Sequence, residues 1–172
     1  MIHVCSLARL HDTVAETRAS HIVTLLRLID RVQRPTSVVE SNHLILGMDD
    51  IMMPMDGYTH PAEEHVHDLI KFVQRWDRRA PVVIHCYAGI SRSTAAAFIT
   101  LCTTRPERDE REIAQRLRTA SRIATPNARL VALADSILER DGRMIAAIAE
   151  IGRGEDAAEN VPFLLPLVAG AG

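Results

Sequence analysis

The run Val82-Val83-Ile84-His85-Cys86-Tyr87-Ala88-Gly89-Ile90-Ser91-Arg92-Ser93 joins an apolar segment to a thiol and, five residues later, to a guanidinium and a hydroxyl. The apolar segment Pro81 to His85 reads as a central, fully buried strand, and Thr94 to Thr103 reads as a helix. A chain that leaves a buried strand and turns directly into a helix aims several backbone N–H groups at one point. Such a nest, with the positive end of the helix behind it, binds an anion without any basic side chain. Gly89 permits a positive-φ turn. Arg92 adds a planar fork matched to two phosphate oxygens. The same positive field favours the thiolate of Cys86 and sets it for in-line attack on phosphorus. Five intervening residues, Tyr87, Ala88, Gly89, Ile90 and Ser91, can wrap one tetrahedral dianion but leave little room for a nucleotide. The Gly-x-x-x-x-Gly-Lys-Ser/Thr pattern is absent, which argues against a nucleoside triphosphatase loop. Ser93 can donate to the sulfur as it departs, while His85 should point to the other side and serve the loop backbone. A cysteine alone could be a small core hydrophobe. Gly89, Arg92 and Ser93 in a strand–turn–helix context outweigh that reading.

Cleaving a phosphate ester also calls for a proton at the departing oxygen, which a carboxylic acid on a loop can supply. Asp49, Asp50 and Asp56 lie at the root of, or within, a long loop that runs to Pro61 and contains Pro54 and Gly57. Asp50, just past the strand His43 to Leu46, is the favoured acid, with Asp56 and Asp49 as alternatives. Asp49-Asp50 can also be read as a solvated turn. Met52, Met53 and Met55 can form an apolar lid or pack the loop down. His60, His65 and His67 do not share one helix face and have no cysteine nearby, so no metal site is expected. Arg75, Arg78 and Arg79 read as a charged helix end.

The elements that must position these groups follow from periodicity and breakers. Met1 to Ala8 reads as an opening strand, Leu10 to Ala19 as a short helix, His21 to Leu28 as a second strand or a helix–strand boundary, Arg31 to Ser37 as a connection and His43 to Leu46 as a strand. Pro61-Ala62-Glu63-Glu64 opens a helix with the apolar stripe Val66, Leu69, Ile70, Val73 and Trp76, ending at Arg78-Arg79-Ala80-Pro81. The helix after Arg92 carries Ala95-Ala96-Ala97, which allows close backbone packing. Glu110 to Arg118, Ala128 to Leu138 and Arg143 to Ile151 read as further helices. The fold class expected is α/β.

At 172 residues and 47% hydrophobic the chain suits one domain over residues 1–160, with 161–172 a short tail packed on it or frayed. A net charge of −2 with scattered basic residues argues against a nucleic-acid partner. Cys5, Cys86 and Cys102 make no disulfide framework and fit a reducing cytoplasm. The amino terminus carries no signal-like core, and no apolar run approaches about 18 residues, so no membrane insertion is expected.

The run His85-Cys86-Tyr87-Ala88-Gly89-Ile90-Ser91-Arg92-Ser93 resembles the signature loop of the cysteine-dependent protein tyrosine and dual-specificity phosphatases. The likeness extends more weakly over residues 20–140. Arg122-Ile123-Ala124-Thr125-Pro126-Asn127 resembles the Arg-x-x-x-Pro-Asn stretch that gives structural support in dual-specificity members. The match is closer to the compact, bacterial-like group than to the large receptor-type group. The resemblance implies a central, mostly parallel sheet of four to five strands flanked by helices, and a phosphocysteine intermediate on Cys86. Arg92 would hold the phosphoryl group, Ser93 would assist breakdown, and His85 and Asn127 would support the site. No cofactor is implied. The expected substrate is a phosphorylated protein, through phosphotyrosine, or a small aryl phosphate. Dual-specificity, small-molecule or phosphoinositide hydrolysis is the alternative, and a silent phosphate-binding module is the second one. A loop without lysine or a further arginine favours the less charged substrates.

Overall fold

The computed structural model describes residues 1–27 and 32–167. Leu28, at the end of the expected second strand, Arg31, at the start of the following connection, and residues 168–172 of the tail lie outside the described residues. Among the described residues five strands form one sheet: β1 (Ile2–Ser6), β2 (His21–Leu25), β3 (His43–Leu46), β4 (Val82–Cys86) and β5 (Phe163–Leu165). Their spatial order is β3-β2-β4-β1-β5. The first four run parallel and only β5 is antiparallel, against β1. The sheet is therefore mostly parallel and flanked by helices, as the resemblance implied.

Among the described residues there are also six α-helices: α1 (Leu10–Thr17), α2 (Glu63–Arg75), α3 (Arg92–Thr104), α4 (Glu110–Ala120), α5 (Ala128–Ile137) and α6 (Arg143–Ile151). The period-two alternation of strands divides the core in two. Cys5, Ile22 and Val83 face α1, where Leu10 and Val14 cover them. Ile2, Val4, Val23, Leu25, Val82, Ile84 and Cys86 share the other core with α2 to α6. The centre of that core is α3, whose residues from Arg92 to Cys102 are all buried. Its run Ala95-Ala96-Ala97 has no side chain beyond Cβ, so the helix can lie close to β4.

The stripe expected on α2 is buried at Val66, Leu69, Ile70 and Val73. Trp76 caps that helix instead of continuing it, and its indole Nε1 donates to the Ala80 carbonyl at 2.9 Å. Pro61 stands before the N-cap Ala62 rather than inside the first turn. His65 lies in that turn, where its Nδ1 accepts from the Ala62 N–H at 3.1 Å. Among the described residues no helix is long and apolar enough to cross a membrane.

The tail expected to pack or fray supplies β5, in which Phe163 and Leu165 are buried. Leu165 pairs with Ile2 and Phe163 with Val4. The strand between Pro162 and Pro166 has only three residues, too few for a readable alternation. Its partner is an otherwise open edge of β1, and that edge decides its conformation.

The chain leaves β1 towards α1 and leaves the adjacent β4 towards α3, on opposite faces of the sheet. Neighbouring parallel strands with diverging exits open a crevice at their carboxyl ends. Ser6 and Cys86, paired in register, stand at that crevice.

Candidate active site

The segment from Cys86 to Arg92 folds as a bowl whose rim can be traced by carbonyl accounting. The Tyr87 carbonyl accepts from Leu7 N–H at 3.1 Å, and the Ala88 carbonyl from Asn160 N–H at 2.9 Å. The Gly89 carbonyl accepts from Asn160 Nδ2 at 3.0 Å. The Ile90 carbonyl accepts from Thr125 N–H at 2.9 Å, and the Ser91 carbonyl from Asn127 N–H at 3.3 Å. Every carbonyl from 87 to 91 is therefore held by a group outside the loop. A planar trans peptide sets N–H opposite C=O. The N–H groups of residues 88 to 92 consequently turn to the inner side of the bowl, where an anion would sit.

Gly89 adopts φ +74°, which an L side chain rarely accepts. A Cβ there would also stand 2.9 Å from the Cys5 carbonyl carbon and 3.0 Å from Ser6 N. Ser91 occupies the N-cap of α3, yet its hydroxyl makes no capping bond. It donates instead to Asp50 Oδ1 at 2.7 Å. The amino end of α3 is thus left for a ligand.

Cys86 Sγ lies 3.2 Å from Ser93 Oγ, the contact expected from the spacing. Arg92 is 8% exposed. Its Nη1 donates to the Met48 carbonyl at 2.7 Å, which fixes the fork. Its Nε is buried, has no hydrogen-bond partner among the described residues and lies 3.7 Å from Asp50 Oδ2. A buried guanidinium N–H with no acceptor fits an oxyanion ligand.

Among the three candidate acids, only Asp50 is brought to the loop. Its Oδ1 accepts from Ser91 Oγ and, at 2.8 Å, from Asn127 Nδ2. Asn127 caps α5 with its Oδ1, which accepts from Leu130 N–H at 3.1 Å, so its NH₂ is directed to Asp50. Asp49 closes the neck of the long loop: its Oδ2 accepts from Thr59 N–H at 2.8 Å and its own N–H donates to the Thr59 carbonyl at 2.7 Å. Arg27, which lies over the Tyr58 ring, stands 3.7 Å from Asp49. Asp56 is exposed on that loop. Met52, Met53 and Met55 are exposed as well, so they do not pack the loop down.

His85 projects to the face opposite Cys86. Its Nε2 lies 2.6 Å from Thr24 Oγ1, which also contacts His43 Nε2 at 2.8 Å. Thr24 has a single proton for two imidazole nitrogens, so at least one of them must donate to it. His85 Nδ1 has no hydrogen-bond partner of normal geometry. Burial pushes the His85 imidazole down to about 4, partly offset by the polar backbone of Cys86, with His43 pushing it lower. The ring is therefore neutral at physiological pH, bonded to Thr24 of β2 and packed behind the loop, not a cation. Burial pushes the Cys5 and Cys102 thiols up to about 12, leaving them poor nucleophiles. The groups that sequence reading missed are Leu7 through its N–H, Thr24, Met48 through its carbonyl, Ser121 and Asn160. None carries a local signal, because each meets the loop only through tertiary contact.

Two outcomes test this geometry. Gly89→Ala should lose about 2 kcal/mol in denaturant unfolding from the strained φ and backbone clash, and should weaken binding of inorganic phosphate in calorimetry. The neutral His85 makes the fold acid-sensitive. Below the ordinary 6.5 the unfolded chain takes up a proton that folded His85 accepts only near 4. Stability is then full above about pH 6.5 and falls as pH drops towards 4. His3, His21 and His43, also lowered by burial, add in the same direction. Thermal midpoints measured across this window should fall less steeply for His85→Asn than for the unaltered chain; parallel curves would contradict the assignment.

A family model described as "Tc-R-P: Polymorphic toxin system, DSP-PTPase phosphatase" matches residues 3–104, more than half of the chain. No curated protein matches the sequence. Among solved structures, Cydia pomonella PTP-2 phosphatase is similar at 18% identity with a TM-score of 0.62, over 78% of this chain and 84% of that one. The Yvh1 phosphatase domain from Chaetomium thermophilum is similar at 19% identity and TM-score 0.62, covering 83% and 93%. PTPMT1 in complex with PI(5)P is similar at 14% identity and TM-score 0.60, covering 88% and 92%. At such identities the likeness is one of fold. With the family match spanning β1 to the end of α3, the chain belongs to the DSP-PTPase phosphatase family of polymorphic toxin systems.

Proposed function

We propose that this chain is a phosphomonoester hydrolase, a protein tyrosine phosphatase that works through a phosphocysteine intermediate. The observation that carries the reading is Cys86 at the floor of a bowl whose carbonyls all face outward, with the unpartnered Arg92 Nε and the Asp50 carboxylate at its mouth. A phosphate dianion bound by the N–H groups and Arg92 presents phosphorus to Cys86 Sγ. The thiolate attacks in line, the S–P bond forms and the P–O bond to the aryl group breaks. Asp50 gives its proton to the departing oxygen. A water then attacks phosphorus, Asp50 takes its proton, and the S–P bond breaks. Ser93 donates to the sulfur, stabilising the thiolate as it leaves. Asn127 and Ser91 hold the carboxylate in place, and His85 supports the loop from behind.

The loop carries no basic side chain between Cys86 and Arg92, which favours a singly phosphorylated aryl substrate over a multiply charged lipid headgroup. The catalytic unit in this reading runs past residue 160 to the end of β5. The family's place in polymorphic toxin systems suggests an effector role. It is tested by comparing cells that express the chain with cells that express Cys86→Ser; equal growth would count against it.

The central test is hydrolysis of an aryl phosphate and of phosphotyrosine peptides. Cys86→Ser should reduce turnover to background, and retained activity would sink the reading. Asp50→Asn should lower kcat by about 100-fold or more and flatten the alkaline limb of the pH profile, because the proton donor is gone. Asp49→Asn and Asp56→Asn should keep that limb. If Asp56→Asn flattens it instead, Asp50 is not the acid.

A further inference from the structure

Asn160 lies outside the family-matched segment and 3% exposed, on the stretch that leads from α6 to β5. This stretch passes over the back of the loop as a strap. Gly154 N–H donates to Thr125 Oγ1 at 3.1 Å, and Glu155 N–H to the Arg122 carbonyl at 3.0 Å. A Cβ on Gly154 would stand 2.5 Å from the Ile123 carbonyl carbon, so the strap lies flat on the turn that follows α4. Arg118 ties the two together, with Nη1 donating to the Arg122 carbonyl at 2.6 Å and Nη2 to the Gly152 carbonyl at 2.8 Å. Farther along, Glu159 accepts from the Ser6 hydroxyl at the end of β1, and β5 then pairs with β1.

Held from both ends, Asn160 spends its donors on two consecutive loop carbonyls, Ala88 through its N–H and Gly89 through Nδ2. Its amide orientation is forced, because the Gly89 carbonyl can only accept. Ser121 Oγ stands 2.9 Å from Nδ2, from which it can accept, and 3.2 Å from Oδ1, to which it can donate, and so buttresses the amide. These carbonyls flank Gly89, the one loop residue without a Cβ to restrict rotation of its peptides. Without the clamp, either peptide can turn its carbonyl into the bowl, where it would repel an anion and remove one N–H from it.

We infer that Asn160 is a positioning residue for phosphate binding, and that the strap 153–165 is a working part of the phosphate site and not a trailing segment. The inference rests on the reading of the bowl as a phosphate site, but not on turnover.

The probes are inorganic phosphate and tungstate, titrated by calorimetry into the full chain, with KM and kcat on an aryl phosphate measured alongside. Asn160→Ala and Asn160→Asp should weaken both anions by about tenfold or more, the scale of one lost buried hydrogen bond and its unpaired partner. KM should rise in parallel, with a smaller fall in kcat. Met144→Ala, buried in α6 and outside the strap, should lower the thermal midpoint and leave anion affinity unchanged. Ser121→Ala, which removes only the buttress, should weaken the anions several-fold and covers the case in which the Asn160 variants do not fold. Folded Asn160→Asp or Ser121→Ala protein that binds phosphate within twofold of the unaltered chain would overturn the inference. If the unaltered chain binds phosphate without turning over substrate, the hydrolase reading falls while the role of Asn160 stands; if it binds neither anion, both fall.

Discussion

The peptide planes from Tyr87 to Arg92 must all turn the same way, and the rest of the fold is arranged around that requirement. A short loop that lines an anion with its N–H groups has to place every carbonyl on its outer side. Each of those carbonyls then needs a donor, or burial would cost about 1–3 kcal/mol apiece. The donors come from four residues in three places: Leu7 after β1, Thr125 and Asn127 between α4 and α5, and Asn160 before β5. The sheet order, the turn after α4 and the carboxyl-terminal strap all meet at one point for this reason.

The same economy governs the charged groups. Arg92 is buried, which would be costly for an unpaired cation. One nitrogen is anchored on the Met48 carbonyl and another is near Asp50. Asp50 in turn is held by Ser91 and Asn127, both of which also bear on the loop. Asp49 does the neighbouring structural task, pinning the loop neck at Thr59 so that Asp50 can point inward. Adjacent carboxylates thus divide, one bonded at the loop neck and the other at the mouth of the bowl. His85, on the opposite face, meets Thr24 and His43 in a buried polar chain that supports the floor from below.

Much of the fold was legible in the sequence because it follows from local periods. The run Val82 to His85 has no polar break, and β4 is the central strand it suggested. The stripe on α2 and the helices at Glu110, Ala128 and Arg143 start where expected. Cys86, Arg92 and Ser93 came together because one strand, one turn and one helix position all three. Asp50 was harder. It shares an acidic pair with Asp49 and a loop with Asp56, and the spacing alone left the three open. What separates them is contact with Ser91 and Asn127, residues far along the chain. β5 was missed because three residues between prolines have no period, and its conformation is imposed by the edge of β1.

The sequence by itself determined the thiol, the guanidinium, the hydroxyl and the strand–turn–helix that carries them. Covalent geometry alone spaces those groups, and alternation along β4 sends Cys86 and His85 to opposite faces. Tertiary structure decided which carboxylate reaches the loop and which groups hold its carbonyls outward. Asn160, Thr125 and Leu7 lie on separate segments, and their hydrogen bonds depend on how those segments pack. A hydrogen bond requires position and direction within a few tenths of an ångström, and no spacing along the chain specifies that for residues brought together only by folding.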